Sequence, residues 1–84
     1  MLAKVYVTLK KAILDPQGKA IAASLHALDY NEVSDVRMGK YLEVHLRGVS
    51  QRQAEQRVEE MCRRLLANQV IEYFRFEIIQ EESE

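Results

Sequence analysis

The sequence predicts one α+β domain with the element order β-α-β-α-β and a long, bent central strand. Three segments alternate apolar and polar residues with the period of a strand, and two repeat apolar residues with the period of a helix. With one proline, three glycines and no low-complexity tract, the chain offers no internal linker. We therefore predict a single domain over residues 1–80 and a disordered acidic tail at 81–84.

The first and last strands are predicted at residues 3–10 and 71–79. In each segment every second side chain is apolar, so one face of the sheet should be buried and the other left outside. The residues predicted to face the core are Val5, Val7, Leu9, Phe74, Phe76 and Ile78.

The first helix is predicted to begin at Asp15, which can accept hydrogen bonds from the free amides of the first turn, with Pro16 at the first helical position. Asn31 suits the left-handed residue that would end it. Its predicted apolar face comprises Ala20, Ile21, Ser24, Leu25 and Leu28.

The second helix is predicted to begin after Ser50, with Gln53 completing a capping box, and to end at Asn68. Two surface ion pairs should form at a spacing of four residues, Glu59 with Arg63 and Glu60 with Arg64. The predicted apolar stripe comprises Ala54, Val58, Met61, Cys62, Leu65 and Leu66.

Between the helices, apolar residues occupy even positions from Val36 to Leu46. A two-residue hairpin at Gly39 and Lys40 would turn half of them away from the core, so the pattern favours one strand over residues 33–47, bent at these two. Such a strand would span roughly 45–50 Å, whereas a compact domain of this length has a radius of gyration of about 12 Å. One end should leave its own half of the molecule, and a second copy would complete each half.

Three of the four tyrosines, Tyr6, Tyr41 and Tyr73, fall on the outward face of their predicted strands, near arginine residues. Aromatic residues and arginine are enriched at the cores of protein interfaces, so this face is a candidate oligomer interface. The alternative is that amphipathic tyrosines cover a two-sided sheet in the monomer.

Composition argues against several classes of function. A net charge of −1 without a basic stripe argues against nucleic-acid binding, and no apolar run is long enough to cross a membrane. Cys62, His26 and His45 match no metal-ligand spacing, and no nucleophile–base pair or phosphate-binding loop can be assembled. We expect a non-catalytic protein, without a cofactor of its own, that binds other chains in a reducing cytoplasmic compartment.

Four stretches of the chain together resemble the PurS family, the small subunits of phosphoribosylformylglycinamidine synthase. They are residues 4–10 (KVYVTLK), 13–18 (ILDPQG), 35–43 (DVRMGKYLE) and 65–72 (LLANQVIE). The family usually has proline where Gln69 stands in this chain.

The resemblance implies two small α+β subdomains, distantly ferredoxin-like, and no catalytic residue in this chain. It also implies two partners: a large synthetase subunit, where ATP and magnesium are expected to bind, and a glutaminase subunit that supplies ammonia. Together they would convert formylglycinamide ribonucleotide to its amidine, with this chain as a dimer that bridges them and could help to shape the path of ammonia.

Carried onto this sequence, the resemblance also points to residues that would contact the partners. The first choice is Arg37, Gly39 and Lys40, and the second is Asp15, Pro16 and Gly18. From the residues alone, Arg37 and Lys40 could equally be solubilising charges, and Asp15 with its neighbours could serve only to cap the first helix.

A free-standing ferredoxin-like regulatory domain that binds a small metabolite is the alternative function. Such domains usually bind at a glycine-containing loop after the first strand. Residues 11–15 of this chain contain no glycine, which counts against that alternative.

Overall fold

The computed structural model describes residues 1–80. Its elements are β1 (Leu2–Leu9), α1 (Pro16–Ala27), β2 (Gly39–His45), α2 (Gln51–Met61) and β3 (Glu72–Ile79), and a five-residue π-helical turn, Cys62–Leu66, directly follows α2. The sheet is antiparallel in the order β2-β1-β3. The predicted α+β class and element order are confirmed, whereas the predicted tail at 81–84 lies outside the described residues.

The core lies between one face of the sheet and α2. Alternate residues of β1 are buried on this face, as the strand period requires, and the apolar residues of β3 are half-buried beside them. The buried apolar residues are Ala3, Val5, Val7, Ala54, Val58, Cys62 and Ala67. A single helix covers a three-stranded sheet here, so the inward side chains Leu42 and Val44 of β2, and Leu46 directly after it, remain half-exposed.

The predicted start of α2 is confirmed at the level of its hydrogen bonds. Gln53 N–H donates to Ser50 Oγ at 3.1 Å, and Ser50 N–H donates to Gln53 Oε1 at 2.9 Å, which is a complete capping box. Of the two predicted ion pairs, Glu59–Arg63 forms with a separation of 3.6 Å, and Glu60–Arg64 does not form among the described residues.

The predicted apolar stripe of the second helix is not buried throughout its C-terminal end. Ala67 N–H donates to the Cys62 carbonyl, five residues earlier, at 3.0 Å. This π-helical turn rotates the side chains that follow. As a result Leu65 is 82% exposed, whereas Leu66 stays half-buried, so the prediction that both belong to the core stripe is wrong for Leu65.

Residues 10–38, which we call the α1 lobe, stand apart from this core. The predicted helix start at Asp15 and Pro16 is confirmed, but α1 ends at Ala27 and the left-handed residue is Asp29, with φ of 71°. The prediction of Asn31 as terminator is therefore wrong. Gly18 is the only buried residue of α1, and the helix does not pack along the sheet or along α2.

The molecule is elongated because the α1 lobe projects beyond the end of the sheet. Its radius of gyration is 16.6 Å and its extents are 49 × 33 × 15 Å, whereas a compact chain of this length would have a radius near 12 Å. The sequence-based expectation that part of the middle segment leaves its own half of the molecule agrees with this shape.

The predicted central strand is only partly formed. There is no hairpin, and the residues of β2 have the predicted parity, but β2 begins at Gly39 rather than near residue 33. Residues 33–38 belong instead to the α1 lobe, where the N–H of Met38 donates to Asp15. Gly39 does not serve as a bend: a Cβ there would lie 2.7 Å from the Val7 carbonyl oxygen, so glycine lets β2 approach β1 closely.

Candidate subunit interface

The six residues predicted to contact partners occupy one region, where the α1 lobe joins the sheet. Five of them have structural tasks within the chain. Pro16 is the first residue of α1, and Gly39 lies against β1. Asp15 accepts from the Gly18 N–H, Arg37 donates to the Ile13 carbonyl, and Gly18 lies against the Val36 carbonyl. These contacts join the segment that enters α1 to the segment that leaves it. Lys40, by contrast, is exposed, and its side chain makes no hydrogen bond or ion pair within residues 1–80.

Asp15 is the most buried charged side chain of the described chain, with 3% of its surface exposed. Its Oδ1 accepts from the Gly18 N–H at 2.9 Å and its Oδ2 from the Met38 N–H at 2.6 Å. These two backbone hydrogen bonds, with the positive charge of Arg37 nearby, hold the pKa of Asp15 below its ordinary value. The carboxylate therefore links the start of α1 to the end of the lobe.

Arg37 makes a second link across the same junction. Its Nη2 donates to the Lys10 carbonyl at 2.9 Å and to the Ile13 carbonyl at 2.8 Å. Both acceptors belong to the connection between β1 and α1, where the Lys10 carbonyl also accepts from the Ile13 N–H at 2.9 Å. Arg37 therefore acts first within its own chain, so a direct partner contact is not needed to explain it.

The three tyrosines predicted to form an oligomer interface lie on one exposed face of the sheet, which we call the tyrosine face. Its residues are Lys4, Tyr6, Thr8, Tyr41, Glu43, Tyr73, Arg75 and Glu77. Tyr6 pairs across the strands with Tyr41 on one side and Arg75 on the other. The two tyrosine rings have centroids 5.2 Å apart, and the guanidinium of Arg75 lies 4.0 Å from the Tyr6 ring centroid.

Both glutamates of the tyrosine face accept a hydrogen bond from a tyrosine of the same face. Tyr6 donates to Glu77 Oε1 at 3.1 Å, and Tyr41 donates to Glu43 Oε2 at 2.9 Å. Partial burial, and then the hydrogen bond to Glu43, raise the pKa of Tyr41 to about 12, and the bond to Glu77 raises the pKa of Tyr6. The face is thus a pre-arranged set of rings and charges that needs little reordering to receive a partner.

A second surface is the apolar side of α1, for which the sequence predicted a helix face but not that it would be uncovered. Leu28 is 67% exposed, Ile21 and the neighbouring Leu14 are also exposed, and Leu25 is only half-buried. The spacing of these residues in the sequence is that of a core-facing helix. No pattern within the helix says which part of the fold, or which chain, would cover it.

A third surface is an apolar groove between α2 and β2. It is lined by Val44, Met61, Leu65 and Leu66 and bordered by Arg57, Glu60 and Arg64. Neither arginine forms an ion pair within residues 1–80. Sequence reasoning missed this groove because the π-helical turn, which places Leu65 outside, has no signature in the hydrophobic pattern.

Other chemical groups are placed as structural residues. Cys62 is fully buried in the core, and burial raises the pKa of its thiol, as expected of a packed cysteine rather than a nucleophile. The imidazole Nε2 of His26 lies 2.6 Å from the Val33 carbonyl. Gln69 accepts from Arg63 at 2.9 Å. Across the described chain no cluster of histidine, cysteine and carboxylate groups could hold a metal ion.

Helices of the described chain are too short or too polar to cross a membrane.

The fold and these surfaces define a small α+β domain with several faces suited to contact with other proteins. Residues 2–80 match the family model PurS, described as phosphoribosylformylglycinamidine (FGAM) synthase. The chain therefore belongs to the PurS family, whose members are subunits of that synthase, and the resemblance drawn from the sequence is confirmed.

Individual relatives agree with the family match. The chain is 53% identical over 75 residues to the phosphoribosylformylglycinamidine synthase subunit PurS of Bacillus subtilis, covering 89% of this chain and 88% of the relative. The crystal structure of PurS from Methanocaldococcus jannaschii, one of the subunits of formylglycinamide ribonucleotide amidotransferase, aligns with a TM-score of 0.85 at 33% identity and covers 96% of this chain and 98% of that one.

A chain in the structure of PurLQS from Thermotoga maritima is also similar. It aligns with a TM-score of 0.78 at 25% identity, covering 92% of this chain and 96% of that chain. That structure contains a PurS chain as part of a larger assembly.

Proposed function

We propose that this chain is the non-catalytic small subunit of an ATP- and glutamine-dependent FGAM synthase, and that it bridges a large synthetase subunit and a glutaminase subunit in the cytoplasm. ATP and magnesium would bind in the large subunit and ammonia would come from glutamine hydrolysis, so this chain needs no cofactor of its own. Its task would be to hold the two active sites in a fixed relation and to help shape the path of ammonia between them.

The observation that carries this proposal is the uncovered apolar side of α1. A helix of 12 residues is marginally stable alone in water, and α1 packs neither along the sheet nor along α2. Such a helix gains stability when its apolar side is buried against another chain. The geometry thus supports a protein that works in an assembly.

A second copy of the chain is the proposed cover for α1. Each copy has one helix without a sheet to pack on, and one sheet whose inward β2 side chains have no second helix above them. Two copies related by a two-fold axis could exchange helices, so that α1 of each covers β2 of the other. This arrangement would bury Ile21 and Leu28 together with Leu42 and Val44.

The tyrosine face and Lys40 remain predicted contact points, and a dimer built through α1 leaves both available to the larger subunits. The chain would then present two copies of the tyrosine face, one for each protomer, as a bridge requires. Nothing in the described residues favours the metabolite-binding alternative, because the connection after β1 is closed by Arg37 on the carbonyls of Lys10 and Ile13.

Self-association can be tested by sedimentation of the purified chain at micromolar concentration, with Leu28→Ser and the control Val70→Ser. Both positions are apolar and largely exposed in the single chain, but only Leu28, the C-cap residue of α1, belongs to the apolar side of that helix. We expect the native chain and Val70→Ser to be dimers or larger and Leu28→Ser to dissociate. A monomeric native chain would contradict the proposed dimer.

The bridging role can be tested separately by immobilising the chain and adding the synthetase and glutaminase subunits, singly and together. We expect both to be retained, with the glutaminase subunit held more strongly when the synthetase is present. Retention of neither subunit would contradict the proposed function even if the chain proved to be a dimer.

A further inference from the structure

The junction between the α1 lobe and the sheet is closed by two side chains that cross it in opposite directions. Asp15 lies in the connection entering α1 and reaches the backbone of Met38 in the connection leaving it, at 2.6 Å. Arg37 lies in the leaving connection and reaches the Lys10 and Ile13 carbonyls of the entering one, at 2.9 Å and 2.8 Å. We call this pair of links the latch.

The Asp15 side of the latch differs from an ordinary surface charge in its burial and in the number of its hydrogen bonds. Asp15 is almost completely buried, and both of its oxygens accept from backbone amides. Gly18 permits this approach, because a Cβ at that position would overlap the Val36 carbonyl oxygen. The entering and leaving connections are therefore in van der Waals contact as well as hydrogen-bonded.

The rest of the structure gives the α1 lobe little other support. The helix does not pack along the sheet, and the lobe is joined to it where β1 ends and β2 begins, with one hydrogen bond from the Lys10 N–H to the Ile71 carbonyl at 2.8 Å before β3. Two connections without cross-links would act as a hinge, since each can rotate about its own backbone dihedrals. Hydrogen bonds between them remove that freedom, so the latch determines the angle at which α1 stands relative to the sheet.

We propose that Asp15 and Arg37 are positioning residues, which set the angle of the α1 lobe so that its apolar side meets the next subunit correctly, and that neither needs to touch that subunit. The inference rests on the proposed function, in which α1 is a subunit contact. It differs from a direct contact, because Arg37 already uses Nη2 on two carbonyls of its own chain and Asp15 is buried.

Asp15→Asn tests the latch with a minimal change in shape. An amide has one acceptor oxygen, so its NH2 group would face one of the two backbone N–H donors that the carboxylate now binds. The control is Asp35→Asn, because Asp35 accepts only from the N–H of its neighbour Val36. For the second link, Arg37→Lys keeps the charge but cannot reproduce the planar two-carbonyl contact, and Arg47→Lys is its control.

Two measurements on the full chain separate positioning from contact. Amide exchange in the α1 lobe should quicken in Asp15→Asn and Arg37→Lys, at protein concentrations low enough for monomers, while β1 and Val58 remain protected. Self-association of both variants should weaken by at least about tenfold, whereas the controls match the native chain. The double variant should lose less than the two single losses combined, because both act on one hinge.

The outcomes distinguish this inference from the proposed function. If Leu28→Ser dissociates the chain but Asp15→Asn and Arg37→Lys associate like the native protein, the latch does not position α1 and this inference is wrong. Weaker association with unchanged exchange in the α1 lobe would also overturn it, since that result identifies a direct contact. If the native chain never associates and binds neither larger subunit, the proposed function itself fails.

Discussion

Some polar side chains of this protein bind other parts of the same chain, whereas others are exposed and could contact another molecule. Arg37 and Lys40 illustrate the difference, since they stand on either side of Gly39 and carry the same charge. Arg37 donates to two carbonyls of its own chain, whereas the side chain of Lys40 has no hydrogen-bond or ion-pair partner within residues 1–80. Lys40 is therefore the better candidate for an electrostatic contact with a larger subunit.

The tyrosine face gives a prediction about pH. The pKa of Tyr41 is raised to about 12, so the folded chain holds the phenolic proton more firmly than the unfolded chain, whose tyrosine has a pKa near 10.0. This contribution to stability is complete below pH 10 and is lost as the pH rises toward 12. We expect the unfolding free energy of the native chain to fall more steeply over this range than that of Tyr41→Phe.

Urea unfolding at several alkaline pH values, followed by circular dichroism, measures this difference. Comparison of the two proteins at pH 8 provides the control, because the tyrosine is protonated there in both states. Parallel curves from pH 10 to pH 12 would show that the Tyr41 hydroxyl gains nothing from burial and Glu43.

Residue-level prediction from the sequence succeeded where one position decides the local chemistry. Both helix starts were predicted from their capping residues, and the structure confirms Asp15 with Pro16 for α1 and Ser50 with Gln53 for α2. The outward placement of three tyrosines followed from strand parity and is also confirmed. The second role of Asp15, as an acceptor for Met38, could not be predicted, because it depends on how two distant segments meet.

At the scale of elements, α2 and α1 have similar lengths, and each carries apolar residues at helical spacing, but only α2 is covered by its own chain. α2 packs its apolar stripe on the sheet, and α1 does not. Hydrophobic periodicity predicts which side of a helix will be covered, but not by what. The exposure of Leu65 has another cause, because the π-helical turn shifts side chains without changing the sequence pattern.

The docking of α2 can be tested with a matched pair of valines. Val58 is fully buried between α2 and the sheet, whereas Val70 is 80% exposed after the π-helical turn. We expect Val58→Ala to lower the unfolding free energy by about 1.5–3 kcal/mol, through lost burial and the cavity left behind, and Val70→Ala to change it by no more than about 0.5 kcal/mol.

Chemical denaturation of both variants measures these changes, at a protein concentration where the oligomeric state is the same. Equal losses for the two valines would mean that α2 is not held by the core described above. A large loss at Val70 alone would place a subunit contact at the end of the π-helical turn.

The molecule as a whole is more extended than a compact single chain of its length. One helix covers the three-stranded sheet, and the other helix stands beyond the end of the sheet. The radius of gyration is accordingly 16.6 Å. The length of the middle segment predicted an extended molecule, but the predicted cause, one strand over residues 33–47, is wrong. Residues 33–38 belong to the α1 lobe, where Arg37 and Met38 take part in the latch, and only residues 39–45 form the strand.

The central claim is that this chain links two catalytic subunits without catalysing a step. Amidine formation by purified synthetase and glutaminase subunits, with ATP and the ribonucleotide substrate, tests it directly when measured with glutamine and with ammonium as nitrogen source, each with and without this chain. We predict that glutamine-dependent turnover requires the chain in stoichiometric amount, that ammonium-dependent turnover does not, and that the chain alone has no activity. Full glutamine-dependent turnover in its absence, or turnover by the chain alone, would contradict the account.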